Sequence, residues 1–205
     1  MTQHFLDIAS TPRVRAAQQA MGMARERAER EFSHSADHFA ADERQFISEA
    51  DTFFMATTSE TGWPYVQHRG GPRGFLKVVD DHTLAFADYR GNRQYVSVGN
   101  VAGSARAALI LMDLPRKARL KIYAHVEILA PGVDAALTQL VTAPSYKARM
   151  ERIFRLTLEA YDWNCPQHIT PRFTEEEIDE AVRPLRERLA ALEAENRLLR
   201  REAAK

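Results

Sequence analysis

The stretch RLKIYAHVEIL alternates strictly between apolar and polar side chains. Side chains on a β-strand point alternately to the two faces of a sheet, so this pattern predicts a strand with one buried face. An amphipathic helix does not fit, because its apolar residues recur every three or four positions. The predicted buried face carries Leu120, Ile122, Ala124, Val126 and Ile128, and the other face carries Lys121, Tyr123, His125 and Glu127.

Six further stretches of the central region have the composition of short strands. A short helix is predicted between Gly91 and Gly103, and a second helical connection over 135–152. Many short strands with few brief helices indicate a mainly β protein with flanking helices, built as a closed or split barrel. The six stretches are TFFMATTS, WPYVQHRG, GFLKVVDD, HTLAFADY, RAALILMD and IFRLTLEAYDW.

Both ends of the chain are predicted to be helical. The first 48 residues are rich in strong helix formers, and Thr174 with Glu177 forms a capping box that opens a C-terminal helix. We therefore predict three regions: an N-terminal helical extension at 1–48, a barrel domain at 49–172 and a C-terminal amphipathic or coiled-coil helix at 173–205.

A heptad seam runs along the C-terminal helix, with apolar residues at alternating steps of four and three. Pro184 lies within this predicted helix, where proline removes a backbone hydrogen bond, and it therefore predicts that the helix kinks or restarts there. The seam is compatible with dimerisation and with packing on the body of the same chain. Its residues are Ile178, Val182, Leu185, Leu189, Leu192, Asn196 and Leu199.

Charge and composition exclude several classes of partner. The chain has 28 basic and 28 acidic side chains, which gives no reason to expect nucleic acid or an anionic membrane surface. The longest apolar runs, such as 107–112, are too short to cross a bilayer, and the N-terminus has no apolar run typical of a signal peptide. A single cysteine cannot form an intrachain disulfide. We expect a cytoplasmic protein.

The segment FADYRGNRQY has the form of a phosphate-binding turn. A strand is predicted to end at Tyr89, Gly91 permits a sharp reversal, and Asn92 is predicted to cap a new helix. Arg93 and Gln94 then lie at the helix N-terminus, where free N–H groups and the helix dipole favour an anion. This segment alone leaves open the alternative of a surface turn with a solvated arginine.

A second segment, GWPYVQHRGGPRGFLK, carries glycines at 70, 71 and 74 that let the backbone approach a flat ligand closely. Together the two segments resemble the FMN-binding split-barrel family, the flavoproteins related to pyridoxamine 5'-phosphate oxidase. The resemblance covers about 50–163. It rests on the order of an arginine, a glycine-bearing bend, Phe-Leu-Lys, a strand Phe-x-x-Tyr, and Arg-Gln.

The resemblance implies a six-stranded split β-barrel that forms a homodimer, with FMN in each of the two clefts between the subunits. Arg93 and Gln94 stand where the family has an Arg-Lys pair on the FMN phosphate, and Arg69 is expected to supply a second cation. The backbone around Phe75 and Leu76 is expected to lie along the isoalloxazine ring, and Arg119 stands where the family often has a glutamine that contacts the flavin. The implied cofactor site consists of Arg69, Phe75, Leu76, Lys77, Ala87, Asp88, Tyr89, Arg93, Gln94, Arg119, Trp163 and Gln167.

The C-terminal part departs from pyridoxamine 5'-phosphate oxidase, whose final segment grips the substrate phosphate with Arg and His. The resemblance therefore supports FMN binding and not vitamin B6 oxidation. It implies an FMN-dependent oxidoreductase for a small organic substrate or a reduced nicotinamide, with no catalytic residue assigned. A flavin carrier or sensor without turnover is one alternative. A split barrel that holds a deazaflavin, or haem with His125 as ligand, is another.

The segment YDWNCPQHITPR contains Cys165, the single cysteine. Thiol catalysis and a metal site are both disfavoured, because no base is fixed beside Cys165 and no HxH pair or carboxylate has ligand spacing. The family resemblance implies instead an arm that reaches the cleft of the other subunit. Trp163 and Gln167 are then predicted to contact the flavin, with Cys165 as a small spacer.

Overall fold

The computed structural model describes residues 5–23, 38–163 and 167–204, so Cys165 lies outside the described residues. All seven stretches with the composition of strands contain a strand. The helices are α1 Phe5–Ala9, α2 Pro12–Ala20, α3 Ala41–Glu49, α4 Val96–Gly103, α5 Ala135–Val141 and α6 Glu175–Ala203. The strands are β1 Thr52–Thr58, β2 Pro64–Gly70, β3 Lys77–Val78, β4 Thr83–Tyr89, β5 Arg106–Asp113, β6 Ala118–Leu129 and β7 Met150–Trp163.

One antiparallel sheet contains all seven strands, in the order β2-β1-β5-β6-β7-β4-β3. The predicted six-stranded barrel is therefore wrong in strand number, and the ladder of hydrogen bonds stays open. The additional strand is β3, in which Lys77 pairs with Ala85 and Val78 with Leu84. β3 covers the free edge of β4 only at Leu84 and Ala85, and among the described residues β2 and β4 form no ladder that would close the barrel.

The open sheet nevertheless curls around one hydrophobic core. Phe53 of β1 and Phe86 of β4 have ring centroids 5.3 Å apart, although β5, β6 and β7 lie between their strands in the sheet. The predicted buried face of β6 is confirmed: Leu120 and Ile122 are fully buried, and Ala124 and Val126 nearly so. Curling also brings Arg69 of β2 to Asp88 of β4, although the two strands are distant in the sheet order.

The connecting helices are shorter than the sequence predicted. α4 begins at Val96, several residues after the predicted start near Asn92. α5 ends at Val141, and the chain enters β7 at Met150, so fewer than half of the residues in the predicted helical connection over 135–152 are helical. At the N-terminus, α1 lies on the outer face of the sheet, where Phe5 stacks on Tyr123 with ring centroids 4.3 Å apart.

The C-terminal helix α6 begins as predicted, with the capping box in place. The Thr174 hydroxyl accepts a hydrogen bond from the Glu177 N–H at 3.2 Å, and the Glu177 carboxylate accepts one from the Thr174 N–H at 2.8 Å. The helix passes through Pro184 without the predicted restart. None of its residues is buried, so α6 does not lay its apolar seam on the body of its own chain.

No helix within residues 5–23, 38–163 and 167–204 is both long and apolar enough to cross a membrane.

Candidate functional site

A cavity of about 130 Å³ lies where β2, β4, β7 and the start of α4 meet. The curling of the sheet creates it, because β2 approaches β4 there without pairing. The lining is mostly polar and charged. It consists of Gln67, Arg69, Asp88, Tyr89, Gly91, Asn92, Arg93, Tyr95, Ser97, Val98, Glu151 and Arg152.

Asp88 joins two arginines at the base of the cavity. One carboxylate oxygen accepts a hydrogen bond from Arg69 at 2.5 Å and the other accepts one from Arg152 at 2.7 Å. The Asp88 side chain is 7% exposed, that of Arg69 11% and that of Arg152 18%. Asp88 lies opposite Arg152 in the register of β4 and β7, and the register shifts between Asp88 and Tyr89, as at a β-bulge that redirects side chains beside a site.

Two residues that line the cavity each have a buried polar atom without a hydrogen-bond partner. These atoms are the Nε of Arg69 and the hydroxyl of Tyr89, and Arg119 Nε is the third such atom among the described residues. Burial lowers the pKa of the Arg69 guanidinium, although Asp88 acts in the opposite direction. Burial, with a smaller contribution from Tyr146, raises the pKa of the Tyr89 hydroxyl, which therefore stays a donor at neutral pH. Because buried polar groups are nearly always paired, two unpartnered donors on residues of one cavity lining are unusual.

The chain between β4 and α4 is held in an unusual backbone conformation. Arg93 has φ 64° and Tyr95 has φ 53°, both in the left-handed region that non-glycine residues seldom adopt. Such residues cluster at ligand sites, because the surrounding structure must hold them there. The predicted helix cap is wrong: the Asn92 carboxamide accepts from the Gln94 N–H at 3.1 Å within the turn, and α4 starts only at Val96.

The N-terminus of α4 opens towards the cavity. Tyr95 occupies the cap position without a side-chain hydrogen bond to the helix, and Ser97 and Val98 of the first turn line the cavity. The first N–H groups of a helix lack partners within the helix and attract anions. The Ser97 hydroxyl donates to Gln67 of β2 at 3.0 Å, which fixes the helix start against the sheet.

The side chains that line the cavity carry an excess of positive charge. Three arginines, Arg69, Arg93 and Arg152, face two carboxylates, Asp88 and Glu151. Arg93 has no ion pair with any described residue, whereas Arg69 and Arg152 both bind Asp88. The arrangement suits an anionic group that Arg93 contacts directly.

Four of the twelve predicted cofactor residues line this cavity: Arg69, Asp88, Tyr89 and Arg93. Phe75, Leu76 and Ala87 are at most 4% exposed, and their side chains fill the core. The remaining predicted residues that lie outside the lining are Lys77 on β3, Gln94 in the turn, Arg119 at the start of β6, Trp163 and Gln167.

Trp163 belongs to the packing of its own subunit. Its indole N–H donates to the buried Glu43 at 2.6 Å, and its ring meets Phe46 edge-on at 4.8 Å between centroids. Gln167 is exposed beyond the end of β7. Neither side chain reaches the cavity of its own chain, so their predicted contact with a flavin needs the cleft of a second subunit.

The sequence prediction missed the residues that β7 and the middle of β2 contribute. Gln67 precedes Arg69 by two positions on β2, so the alternation of the strand already placed both on one face. No local sequence motif marks Glu151 and Arg152 as cavity residues. Arg152 reaches the cavity because the register of β4 and β7 places it opposite Asp88. The Tyr95 hydroxyl donates to Glu151 at 3.1 Å, and the Arg152 guanidinium lies 4.6 Å from the centre of the Tyr95 ring.

In the part of the chain that the structure describes, no three His, Cys, Asp or Glu side chains cluster in a way that would hold a metal ion. His125 is hydrogen-bonded to Glu159 at 3.1 Å on the exposed face of the sheet, away from the cavity.

Comparison with known proteins identifies the family. The sequence profile of the pyridoxamine 5'-phosphate oxidase family matches residues 39–162, more than half of the chain. A search of curated proteins finds no match. Among solved structures, HupZ from Group A Streptococcus is similar with TM-score 0.50 and 12% identity, over 66% of this chain and 100% of that one.

Two further structures are similar at lower scores. A putative pyridoxamine 5'-phosphate oxidase from Lactobacillus delbrueckii has TM-score 0.47 and 15% identity, over 62% of this chain and 94% of that one. An FMN-binding protein from Syntrophomonas wolfei has TM-score 0.43 and 12% identity, over 74% of this chain and 97% of that one. From the extent of the profile match, the chain belongs to the pyridoxamine 5'-phosphate oxidase family.

Proposed function

We propose that the chain is a flavoprotein that binds FMN, with the phosphate of the cofactor in the cavity beside Arg93. The observation that carries the proposal is a positively charged cavity lined by Arg93, which has no ion pair with a described residue, and by Arg69 and Tyr89, which each have an unpartnered buried donor. A phosphate offers several acceptor oxygens and negative charge, which the Arg93 fork and the first turn of α4 would satisfy. Membership of a family that the sequence resemblance links to FMN supports the same ligand.

Some residues of the cavity would bind the phosphate directly, and others would hold those residues in position. Arg93 would bind the phosphate directly, because it has no ion pair with a described residue. Arg152 and Asp88 would hold Arg69 in position, since Asp88 accepts from both arginines. The bound flavin would supply hydride or electron transfer, and the protein would bind and orient it.

The size of the cavity supports a shared site. A volume of about 130 Å³ is small beside the roughly 300–1,000 Å³ of pockets that enclose whole cofactors or drug-sized ligands. It accommodates a phosphate and its neighbouring atoms, which leaves the flavin ring to be covered by other protein surface. We therefore propose a homodimer in which a second subunit completes the site, with Trp163, Gln167 and the segment around Cys165 near the ring of the other subunit.

The proposed activity is that of an FMN-dependent oxidoreductase acting on a small organic molecule or a reduced nicotinamide. A flavin carrier or sensor is the second candidate, and the long exposed helix α6 favours it, since such a helix is suited to joining a partner. A deazaflavin or haem ligand remains the third candidate. The single cysteine suits a reducing compartment, which supports the cytoplasm as its location.

Titration with FMN and with riboflavin tests the phosphate assignment. Arg93→Ala removes charge-assisted hydrogen bonds worth roughly 1.5–3 kcal/mol, so FMN affinity should fall about tenfold to a hundredfold. Riboflavin lacks the phosphate, so its affinity should be unchanged in Arg93→Ala. Quenching of flavin fluorescence measures both.

Arg106→Ala is the matched control, because Arg106 is exposed at the start of β5 and does not line the cavity. Equal losses for FMN and riboflavin in Arg93→Ala, or no loss for FMN, would contradict the assignment. Protein that binds neither flavin but binds a deazaflavin or haem would establish the third candidate. Consumption of NADH or NADPH by the FMN-loaded protein separates the oxidoreductase from the carrier.

A further inference from the structure

The helix α6 presents its apolar seam to solvent. The seam is the set of residues Ile178, Val182, Leu185, Leu189, Leu192, Asn196 and Leu199, and its leucines are between 38% and 71% exposed. The helix has 29 residues, and none is buried. Its length is about 44 Å at 1.5 Å per residue, most of it free of its own subunit.

We propose that this seam is the interface of a parallel two-stranded coiled coil, formed with α6 of a second copy of the same chain. In heptad letters, Val182, Leu189 and Asn196 occupy a, while Ile178, Leu185, Leu192 and Leu199 occupy d. Association would bury the seam between the two helices and remove its apolar surface from water.

Charges beside the seam fit a second copy in parallel register. In a parallel coiled coil, the residue before an a position faces the residue after the next d position of the partner. Arg188 would therefore face the partner's Glu193, and Glu195 would face the partner's Arg200. Both pairs have opposite charges, and two-fold symmetry repeats each of them. These pairs cannot form within one helix, because residues five apart do not face each other.

Asn196 decides the direction of the helices. In parallel register Asn196 faces the same residue of the partner, and two carboxamides can hydrogen-bond to each other. In the antiparallel arrangement that overlaps the seams fully, Asn196 would face the partner's Leu185 and bury its polar group unpaired. The flanking charges are complementary in that arrangement too, so the asparagine, a known determinant of register at a positions, favours the parallel pairing.

Pro184 is compatible with this interface. It lies at c, outside the a and d seam, and α6 continues through it. Its missing N–H therefore weakens the helix on the face that the partner does not cover.

Disulfide trapping in the full chain tests the pairing directly. Leu199→Cys would be made with Cys165→Ser, so that the introduced thiol is the only one. In the parallel coiled coil the two thiols at 199 meet, and mild oxidation should yield covalent dimer. The matched control, Arg201→Cys in the same background, places the thiol at f on the outer face. We expect cross-linking at 199 to be about tenfold faster or more, because the effective concentration of facing thiols far exceeds that of free protein.

The antiparallel arrangement would separate the two copies of residue 199 by roughly 25 Å, since each would face position 182. Equal cross-linking rates for Leu199→Cys and Arg201→Cys would therefore overturn the proposal. The seam would then pack against a helix of a different protein or against α6 in the antiparallel arrangement.

A charge swap supplies a second, independent test. Glu195 has no charged residue three or four positions away on its own helix, so Glu195→Arg acts mainly on the partner's Arg200. In the Leu199→Cys background, Glu195→Arg should slow cross-linking severalfold, and Glu195→Arg with Arg200→Glu should restore it. In the antiparallel arrangement the double change would instead oppose the partner's Arg188 and Asp179 with like charges. Failure of the double change to restore cross-linking would overturn the parallel register.

This interface does not depend on the proposed flavin site. A chain that cross-links at 199 and binds no FMN would retain this inference while removing the proposed function.

Discussion

The cavity and the helix α6 contain nearly identical ion pairs in opposite surroundings. In the cavity Arg152 binds Asp88 at 2.7 Å with side chains 18% and 7% exposed. On α6 Arg186 binds Asp179 at 2.8 Å with side chains 66% and 64% exposed. The difference teaches that burial, and not distance, decides what such a pair does: a buried charge needs its partner, whereas an exposed charge has water in its place.

Asp88→Ala should give the largest effect. The substitution leaves Arg69 and Arg152 without their shared carboxylate, and an unpaired buried charge costs about 3–5 kcal/mol. The free energy of unfolding from urea titration should fall by that amount.

Asp88→Asn is the informative companion, since it keeps an oxygen acceptor and removes the charge, and its loss should be smaller. A loss below about 1 kcal/mol for Asp88→Ala would show that water replaces the carboxylate, and that the cavity is not the buried site described above.

The sequence predicted those elements whose signal is local. The alternation in β6 identified the buried face through Leu120 and Ile122, and the capping box at Thr174 located the start of α6. The tertiary partners could not be read in this way, because Asp88 meets Arg152 only through the register of β4 and β7. The same reason explains the start of α4, where Arg93 and Tyr95 adopt positive φ values that no local preference favours.

The predicted cofactor residues divide along the same line. Arg69 and Arg93, which line the cavity, belong to motifs that are continuous in sequence. Phe75 and Leu76 belong to the same motif, yet their side chains are buried in the core. A motif establishes which segment approaches a ligand, whereas the curvature of the sheet determines which of its side chains point into the cavity.

Trp163→Phe should give an intermediate effect. The change keeps an aromatic ring against Phe46 but removes the indole donor, so one oxygen of Glu43, a residue 5% exposed, loses its partner. An unsatisfied buried acceptor costs about 1–3 kcal/mol, measurable by urea denaturation.

Trp63→Phe is the matched control, because Trp63 is 76% exposed, and its effect should stay within about 0.5 kcal/mol. Equal losses for the two variants would mean that the Trp163–Glu43 hydrogen bond contributes nothing beyond ring packing.

Thr174→Ala should give a smaller and more local effect. It removes the hydroxyl that accepts from the Glu177 N–H, and loss of such a cap costs about 1 kcal/mol of helix stability. Hydrogen exchange at the amides of 175–178 should accelerate, while unfolding of the sheet stays unchanged because α6 buries none of its residues. Thr174→Ser keeps the cap and should leave the exchange rates close to those of the wild type; acceleration in both variants would assign the effect to the methyl group.

Asp179→Ala should give the smallest effect and completes the comparison with Asp88. The Asp179–Arg186 pair has almost the same length as the Asp88–Arg152 pair, so the difference between the two alanine variants reports burial together with the second arginine, Arg69, that Asp88 also binds. An exposed pair contributes about 0.2–1 kcal/mol and is screened by salt, so the loss should be at the lower end and should vanish at high ionic strength in thermal unfolding of α6.

Salt should leave the Asp88→Ala loss largely unchanged, because water and ions do not reach that carboxylate freely. In the proposed parallel coiled coil Asp179 lies at the first e position and would face the partner's Thr174, which carries no charge, so dimerisation does not alter this expectation. A loss above about 1 kcal/mol, insensitive to salt, would mean that another surface covers the start of α6.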